Sequence, residues 1–236
     1  MLTDNLEELY FSQLALSVYE TCRLKFRRRY IDGLFWPADW SDNPEQKKII
    51  ERGRRFHLLA QRYFARGEEI EESLISEELL SWFKKLKKFR PYNKIDEFRP
   101  EHELRINKKE IKIVAKYDLL FTDIRNNQVI IYDWKTNNKR LNYDKLIDDL
   151  QTRIYLYLLW EAGSQYFPEN NLDFEDLSII YWNPRYPGQN NIISYSEKKY
   201  LQDKNYINEK IKEIKELSYE EFEAVCVGAP TYVHKD

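Results

Sequence analysis

The middle third of this 236-residue chain abandons the helical spacing that governs both of its ends. Residues 101–107, 110–122 and 128–135 alternate apolar and polar side chains with a period of two, as half-buried strands do. The polar triplets Asn107-Lys108-Lys109 and Arg125-Asn126-Asn127 separate them, so the pattern predicts an antiparallel meander. On the N-terminal side, apolar positions recur every three or four residues over 9–31, 45–65 and 75–89. Gly33 and Gly67 follow the first two of these helices, and a loop rich in Trp, Pro and Asp runs from Trp36 to Pro44. On the C-terminal side a helix is expected over 143–162, with Leu146, Leu150, Ile154, Tyr157 and Leu158 as its core stripe. The apolar run LSIIYW (177–182) follows directly and predicts a buried crossover strand, and a last helix covers 196–216. The order defines a mixed α/β (α+β) sheet with a helical N-terminal cap.

Composition narrows the class. With 18 Tyr, 12 Phe and 6 Trp the chain can fill a sizeable core, which argues against disorder. Six Gly and 8 Pro exclude collagen-like or low-complexity character. No apolar run approaches the roughly 20 residues of a membrane span, so no membrane partner is expected. The N-terminus, MLTDNLEELYF, lacks the layout of a secretory leader. Two cysteines, Cys22 and Cys226, make no disulfide framework, and the expected compartment is the cytoplasm.

Net charge is −2, from 38 Lys and Arg against 40 Asp and Glu, so the distribution is more informative than the sum. The stretch KKLKKFR (84–90) follows the acidic EEIEE (68–72) and reads as the solvated face of an amphipathic helix. The clusters holding Arg23, Arg27 and Arg28, and Arg54 and Arg55, are candidates for gripping a phosphate backbone. The aromatics Phe26, Tyr30, Phe35, Trp36 and Trp40 suit either base stacking or the core.

The stretch IIYDWKTN (130–137) carries the clearest chemistry. Side chains alternate along a strand, so Asp133 and Lys135 share one face while Ile130, Tyr132 and Trp134 take the other. On the preceding strand Ile111, Ile113, Ala115, Tyr117 and Leu119 form one face and Asp118 lies on the other. Adjacent antiparallel strands can bring Asp118 and Asp133 together. Two carboxylates at one spot repel unless a divalent cation sits between them, and oxygen ligands suit Mg²⁺ or Mn²⁺. Taken alone, an Asp-x-Lys triplet is more often a surface ion pair.

Five motifs in order nevertheless make the chain resemble a PD-(D/E)XK nuclease of the RecB type, a group that includes the RecB and AddB nuclease domains and CRISPR-associated adaptation nucleases. LALSVYETCRLKFRRRYIDGL resembles the opening helix of that group, and ERGRRFHLLAQ its Gly-x-x-x-His helix. VAKYD resembles Gly-x-x-Asp, with Ala115 in place of Gly; YDWKT resembles (D/E)-x-K; QTRIYLYLL resembles Gln-x-x-x-Tyr. The resemblance covers about residues 10–185 and implies a restriction-endonuclease-like core, with residues 1–95 as a cap carrying the His motif, 96–218 as the catalytic core and 219–236 as a short tail. It implies that His57, Asp118 and Asp133 hold one or two Mg²⁺ or Mn²⁺ ions, helped by the carbonyl of Trp134. It makes Asp118, Asp133 and Lys135 the catalytic group, with Gln151 and Tyr155 positioning Lys135 or the DNA. Cluster-bearing relatives use four cysteines, and two thiolates cannot build a four-thiolate cluster, so no iron–sulfur cluster is expected. The implied substrate is DNA that is single-stranded or has free ends, in repair, recombination or CRISPR spacer acquisition, with a helicase or integrase as partner. Two other readings remain open on the residues. A catalytically silent DNA-binding or scaffold protein would lack an acidic residue or the lysine. A metal-dependent hydrolase of small molecules would have a closed pocket. Glu101 and Glu103 open the first strand, with no sequence signal saying which faces the site.

Overall fold

The expected meander forms the first part of a five-stranded sheet whose spatial order follows the sequence. In the computed structural model, which describes residues 6–34, 43–68, 71–108, 111–166 and 173–223, β1 (Glu97–Lys108), β2 (Ile111–Asp123) and β3 (Gln128–Trp134) pair antiparallel. Strand β4 (Leu177–Trp182) lies parallel to β3 with Tyr181 opposite Asp133, as a crossover strand should. A fifth strand, β5 (Asn190–Ser194), pairs antiparallel with β4 and was not anticipated. It has five residues and only two apolar ones, Ile192 exposed and Ile193 buried, too short a run for a period-two signal. Most of the Trp36–Pro44 loop, with Phe35, Trp36 and Trp40, lies outside the described residues, as do Lys109, Cys226 and most of the expected tail.

The helices are α1 (Gln13–Thr21), α2 (Arg23–Phe26), α3 (Pro44–Arg66), α4 (Glu77–Phe89), α5 (Tyr143–Leu146), α6 (Leu150–Ala162) and α7 (Glu197–Glu216). Two of the expected helices are interrupted. The helix expected over 9–31 begins only at Gln13, because Phe11 pairs with β2 instead. Its N–H donates to the Lys112 carbonyl at 2.8 Å and its carbonyl accepts from Val114 at 3.0 Å. Strand β3 covers only Leu119–Asp123 of β2, so Phe11 satisfies backbone groups that β3 does not reach. The same segment breaks again at Cys22, which is extended and whose Sγ accepts the Lys25 N–H, and it ends in a π-helical turn over Arg27–Ile31. The expected 143–162 helix divides before Asp149, whose carboxylate caps α6 by accepting the Gln151 N–H at 2.8 Å. No helix among the described residues is long and apolar enough to cross a membrane.

Two apolar clusters sandwich the sheet. One joins α1, α2, α6 and α7 to it through Phe11, Phe26, Ile154, Leu158, Ile207 and Ile211. The other joins α3 and α4 through Phe56, Phe64, Trp82, Phe83 and Trp182. Strand β2 does not keep one face throughout, which corrects the expected stripe Ile111–Leu119. Ile113, Ala115 and Tyr117 belong to the first cluster, with Leu104 and Ile106 of β1. Leu119 and Phe121 belong to the second, with Phe98 of β1 packed against it. Both strands therefore change faces where Glu101 stands opposite Asp118, and Glu101 adopts φ +53°, in the left-handed region. A non-glycine residue held there costs on the order of 1–3 kcal/mol, and such outliers gather at functional sites.

Asp203 of α7 is a buried carboxylate on the opposite side of the fold. It accepts from the Tyr195 hydroxyl at 3.3 Å and lies 3.8 Å from Arg153. Burial raises its pKa to about 6, against the pull of Arg153 and Lys199. The folded chain therefore holds a proton at pH 4–6 that the unfolded chain has released, so stability falls as pH rises through that window. Asp203→Asn should remove this slope, worth about 2 kcal/mol. Urea unfolding of both proteins at pH 4 and pH 7 checks it, and parallel pH dependences would refute it.

Candidate metal and catalytic site

The site begins with a glycine. A Cβ on Gly53 would lie 2.8 Å from the Thr136 hydroxyl, so the bare backbone lets α3 settle against the chain leaving β3. One turn later His57 reaches the sheet, and its Nδ1 lies 3.1 Å from Asp118 Oδ1. The other oxygen of Asp118 accepts the Trp134 N–H at 2.7 Å, tying β2 to the end of β3. Glu101 stands on the same spot from β1, and Lys116 pairs with it at 2.6 Å. Donor atoms of His57, Glu101 and Asp118 all lie within 4.8 Å of one another.

Beside this trio a second cluster closes on itself. Asp133, 4 % exposed, contacts the Lys135 ammonium at 2.6 Å and accepts from Gln151 Nε2 at 2.6 Å. Gln151 Oε1 in turn accepts from Lys135 Nζ at 2.8 Å. Tyr155, one turn further along α6, donates its hydroxyl to the Lys116 carbonyl at 2.9 Å, and its backbone carbonyl accepts from Tyr117. Asp133 and Lys135 thus meet as their strand spacing predicts. Asp133 stands outside the trio whose donor atoms lie within 4.8 Å of one another; its Oδ2 accepts from Gln151, and its buried Oδ1 lies against the Lys135 ammonium with no hydrogen-bond partner among the described residues.

Electrostatics couple the two clusters. Burial lowers the His57 pKa, but the hydrogen bond and charge of Asp118, with the charges of Asp133 and Glu101, outweigh it and leave it raised. Burial raises the Asp133 carboxyl, Lys135 pulls it back, and the Asp118 charge pushes it up again. Three carboxylates crowding one imidazole suit a bound cation. One nitrogen and two carboxylates form a donor set that suits a divalent cation and needs no thiolate. Glu101 is the member with no clear signal in the sequence; its role follows from its position opposite Asp118.

An open cleft of about 510 Å³ leads to the trio, with Arg54, His57, Gln61, Glu101 and Asp118 on its walls. Of the arginines singled out from the sequence, Arg54 lines this cleft. Arg55 pairs with Glu51 on the exposed side of α3. Arg23 pairs with Glu213 of α7 at 2.8 Å. Arg27 is buried, 3.4 Å from Asp32 and over the Tyr219 ring. Arg28 is exposed on the π-helical turn.

The sheet is mixed and flanked by helices, and an Asp-x-Lys pair stands at the end of its central strand beside a His, Glu and Asp trio that could hold a metal ion. The sequence profile of the PD-(D/E)XK nuclease superfamily matches residues 10–228, and the chain belongs to that superfamily. Among solved structures it is similar to the "Putative exonuclease" from Eubacterium rectale, at 11 % identity and a TM-score of 0.50, covering 96 % of this chain and 91 % of that one. At that identity the likeness concerns the fold alone. The structure of SSO0001 aligns at 15 % identity over 90 % of this chain and 84 % of that one, with a TM-score of 0.35. No curated protein sequence matches the chain.

Proposed function

We propose that the protein is a divalent-metal-dependent deoxyribonuclease that degrades DNA from free or single-stranded ends. The observation that carries this reading is the His57–Glu101–Asp118 trio, reached by the cleft, with the Asp133–Lys135–Gln151 cluster tied to it through the bond from the Trp134 N–H to Asp118. His57, Glu101 and Asp118 would hold Mg²⁺ or Mn²⁺, with Asp133 and the Trp134 carbonyl, implied ligands by resemblance, beside them. When bound, the ion supplies an acidified water and polarises a phosphoryl oxygen. Lys135 has the reach to steady the attacking water or the charge that develops on phosphorus. Gln151 holds that ammonium against Asp133. Arg54 on the cleft wall offers a contact to the phosphate backbone.

The free-end preference draws on the RecB-type motif order. That order also supports a place in repair, recombination or CRISPR adaptation, beside a helicase or integrase. End-labelled linear and circular DNA, single- and double-stranded, incubated with Mn²⁺, Mg²⁺ or EDTA, tests the reading. Metal-dependent loss of linear DNA with circles spared is expected. Circles cut as fast as linear DNA would replace it with an endonuclease, and no cleavage with any metal would end it.

A further inference from the structure

Beyond the cleft, the two chain segments that leave β3 and β4 are locked into one shelf. Residues 135–141 and 183–189 carry no regular structure, yet they are bonded to each other throughout. The Lys135 N–H donates to the Trp182 carbonyl at 2.8 Å. Asn183 Nδ2 donates to the backbone and side-chain oxygens of Asn137, both at 2.9 Å. The Tyr186 hydroxyl donates to the Asn138 carbonyl at 2.6 Å. Gln189 reads both backbone groups of Leu141, donating to its carbonyl at 2.5 Å and accepting from its N–H at 3.2 Å. Loops on a protein surface ordinarily spend their polar groups on water. Here they are used to hold a surface in one shape.

That surface is a hollow of about 500 Å³ lined by Arg140, Arg185, Tyr186 and Gly188. The Arg140 guanidinium lies over the Tyr186 ring, 5.3 Å from its centre, and is exposed. No carboxylate pairs with it among the described residues. Arg185 is braced by Glu78 at 3.0 Å and by the Trp82 ring. Lys85 of α4 donates to the Pro184 carbonyl at 3.1 Å, tying α4 to the segment before Arg185. A guanidinium and an aromatic ring on the wall of a concave pocket of ligand size suit a stacked planar base, with the neighbouring guanidinium left for an anionic group. The hollow is continuous in sequence with Lys135, five residues before Arg140.

We propose that this shelf binds an unpaired nucleotide of the DNA strand next to the scissile bond, with Arg140 as a positioning residue. The proposal rests on the nuclease reading above and names the part of the protein that would select unpaired strand. A duplex keeps its bases stacked and offers only phosphates, whereas an unpaired nucleotide can turn its base onto Arg140 and Tyr186 and leave its phosphate to Arg185.

The test is fluorescence anisotropy of a labelled 15-nucleotide single strand and of the matching duplex, in EDTA so that binding is read without cleavage. Arg140→Ala and Gly188→Glu are compared with wild type. A Cβ at Gly188 meets nothing within 4 Å, so Glu places a negative charge in the hollow without disturbing the fold, which circular dichroism verifies. Both variants should bind the single strand about tenfold more weakly. Arg140→Ala should leave the salt slope nearly unchanged, because the phosphate contact falls to Arg185, and duplex binding should change less than twofold. Single-strand binding within twofold of wild type in both variants overturns the shelf, even where metal-dependent cleavage stands. Equal loss on duplex and single strand overturns the selectivity. Weakened single-strand binding by a protein that cuts nothing would uphold the shelf and sink the nuclease reading instead.

Discussion

Lys135→Ala should lower metal-dependent DNA cleavage by roughly 10²–10³-fold, the range for deleting one preorganised group that stabilises a developing charge. The ammonium has one geometry available to it. It is held at 2.6 Å from Asp133 and 2.8 Å from Gln151, and Gln151 is fixed in turn by Asp133. Removing it leaves a buried carboxylate with its main cationic partner gone. Burial and the Asp118 charge already push Asp133 upward in pKa, so it should take up a proton at higher pH in the variant. The variant's residual activity should therefore rise more steeply with pH than that of the wild type. Gln151→Ala leaves the charge in place and only loosens its aim, so a smaller loss of about 10–100-fold is expected. Initial rates on labelled DNA at saturating Mn²⁺, from pH 6 to pH 9, check both. A Lys135→Ala protein retaining more than a tenth of wild-type activity would remove the lysine from the mechanism.

The largest effect on stability is expected at Trp182. This side chain is fully buried, stacks on Phe89 at 4.9 Å and meets the edge of Trp134 at 6.0 Å. Its indole N–H donates to the Pro187 carbonyl at 3.3 Å, and its own carbonyl accepts the Lys135 N–H. Trp182→Ala should cost about 3–5 kcal/mol, because the lost transfer energy is joined by a cavity between α4 and the sheet. Trp182→Phe keeps the ring stack and loses the donor, so it should cost less than half as much. Urea unfolding with an unchanged m-value would report these as native-state losses. A Trp182→Ala cost below about 1 kcal/mol would show that the α3–α4 layer collapses into the space.

Much of the fold was legible because its signals are local. Period-two alternation located β1 to β3, and the 3.6-residue period located α3, α4 and α7 to within a few residues and the C-terminal end of α6. The errors came where tertiary contacts override local preference. Phe11 is helical in its spacing, yet it is taken by the open edge of β2. Cys22 interrupts what reads as one continuous amphipathic helix. Strand β5 is held in place by its partner β4 more than by its own five residues. Among the basic residues, composition could not distinguish Arg54 on the cleft wall from Arg23 and Arg27, which bind α2 to Glu213, Asp32 and Tyr219.

The contact between Asp133 and Lys135 followed from sequence alone, because two positions two apart at the end of a strand must share a face. The same holds for Gln151 and Tyr155, four apart on α6. The trio of His57, Glu101 and Asp118 was decided by the tertiary structure. It needs three elements far apart in sequence, a helix allowed close by Gly53, and two strands that change faces together at Glu101. A left-handed glutamate has no signature in the sequence, since its cost is offset by the sheet and helix that close around it.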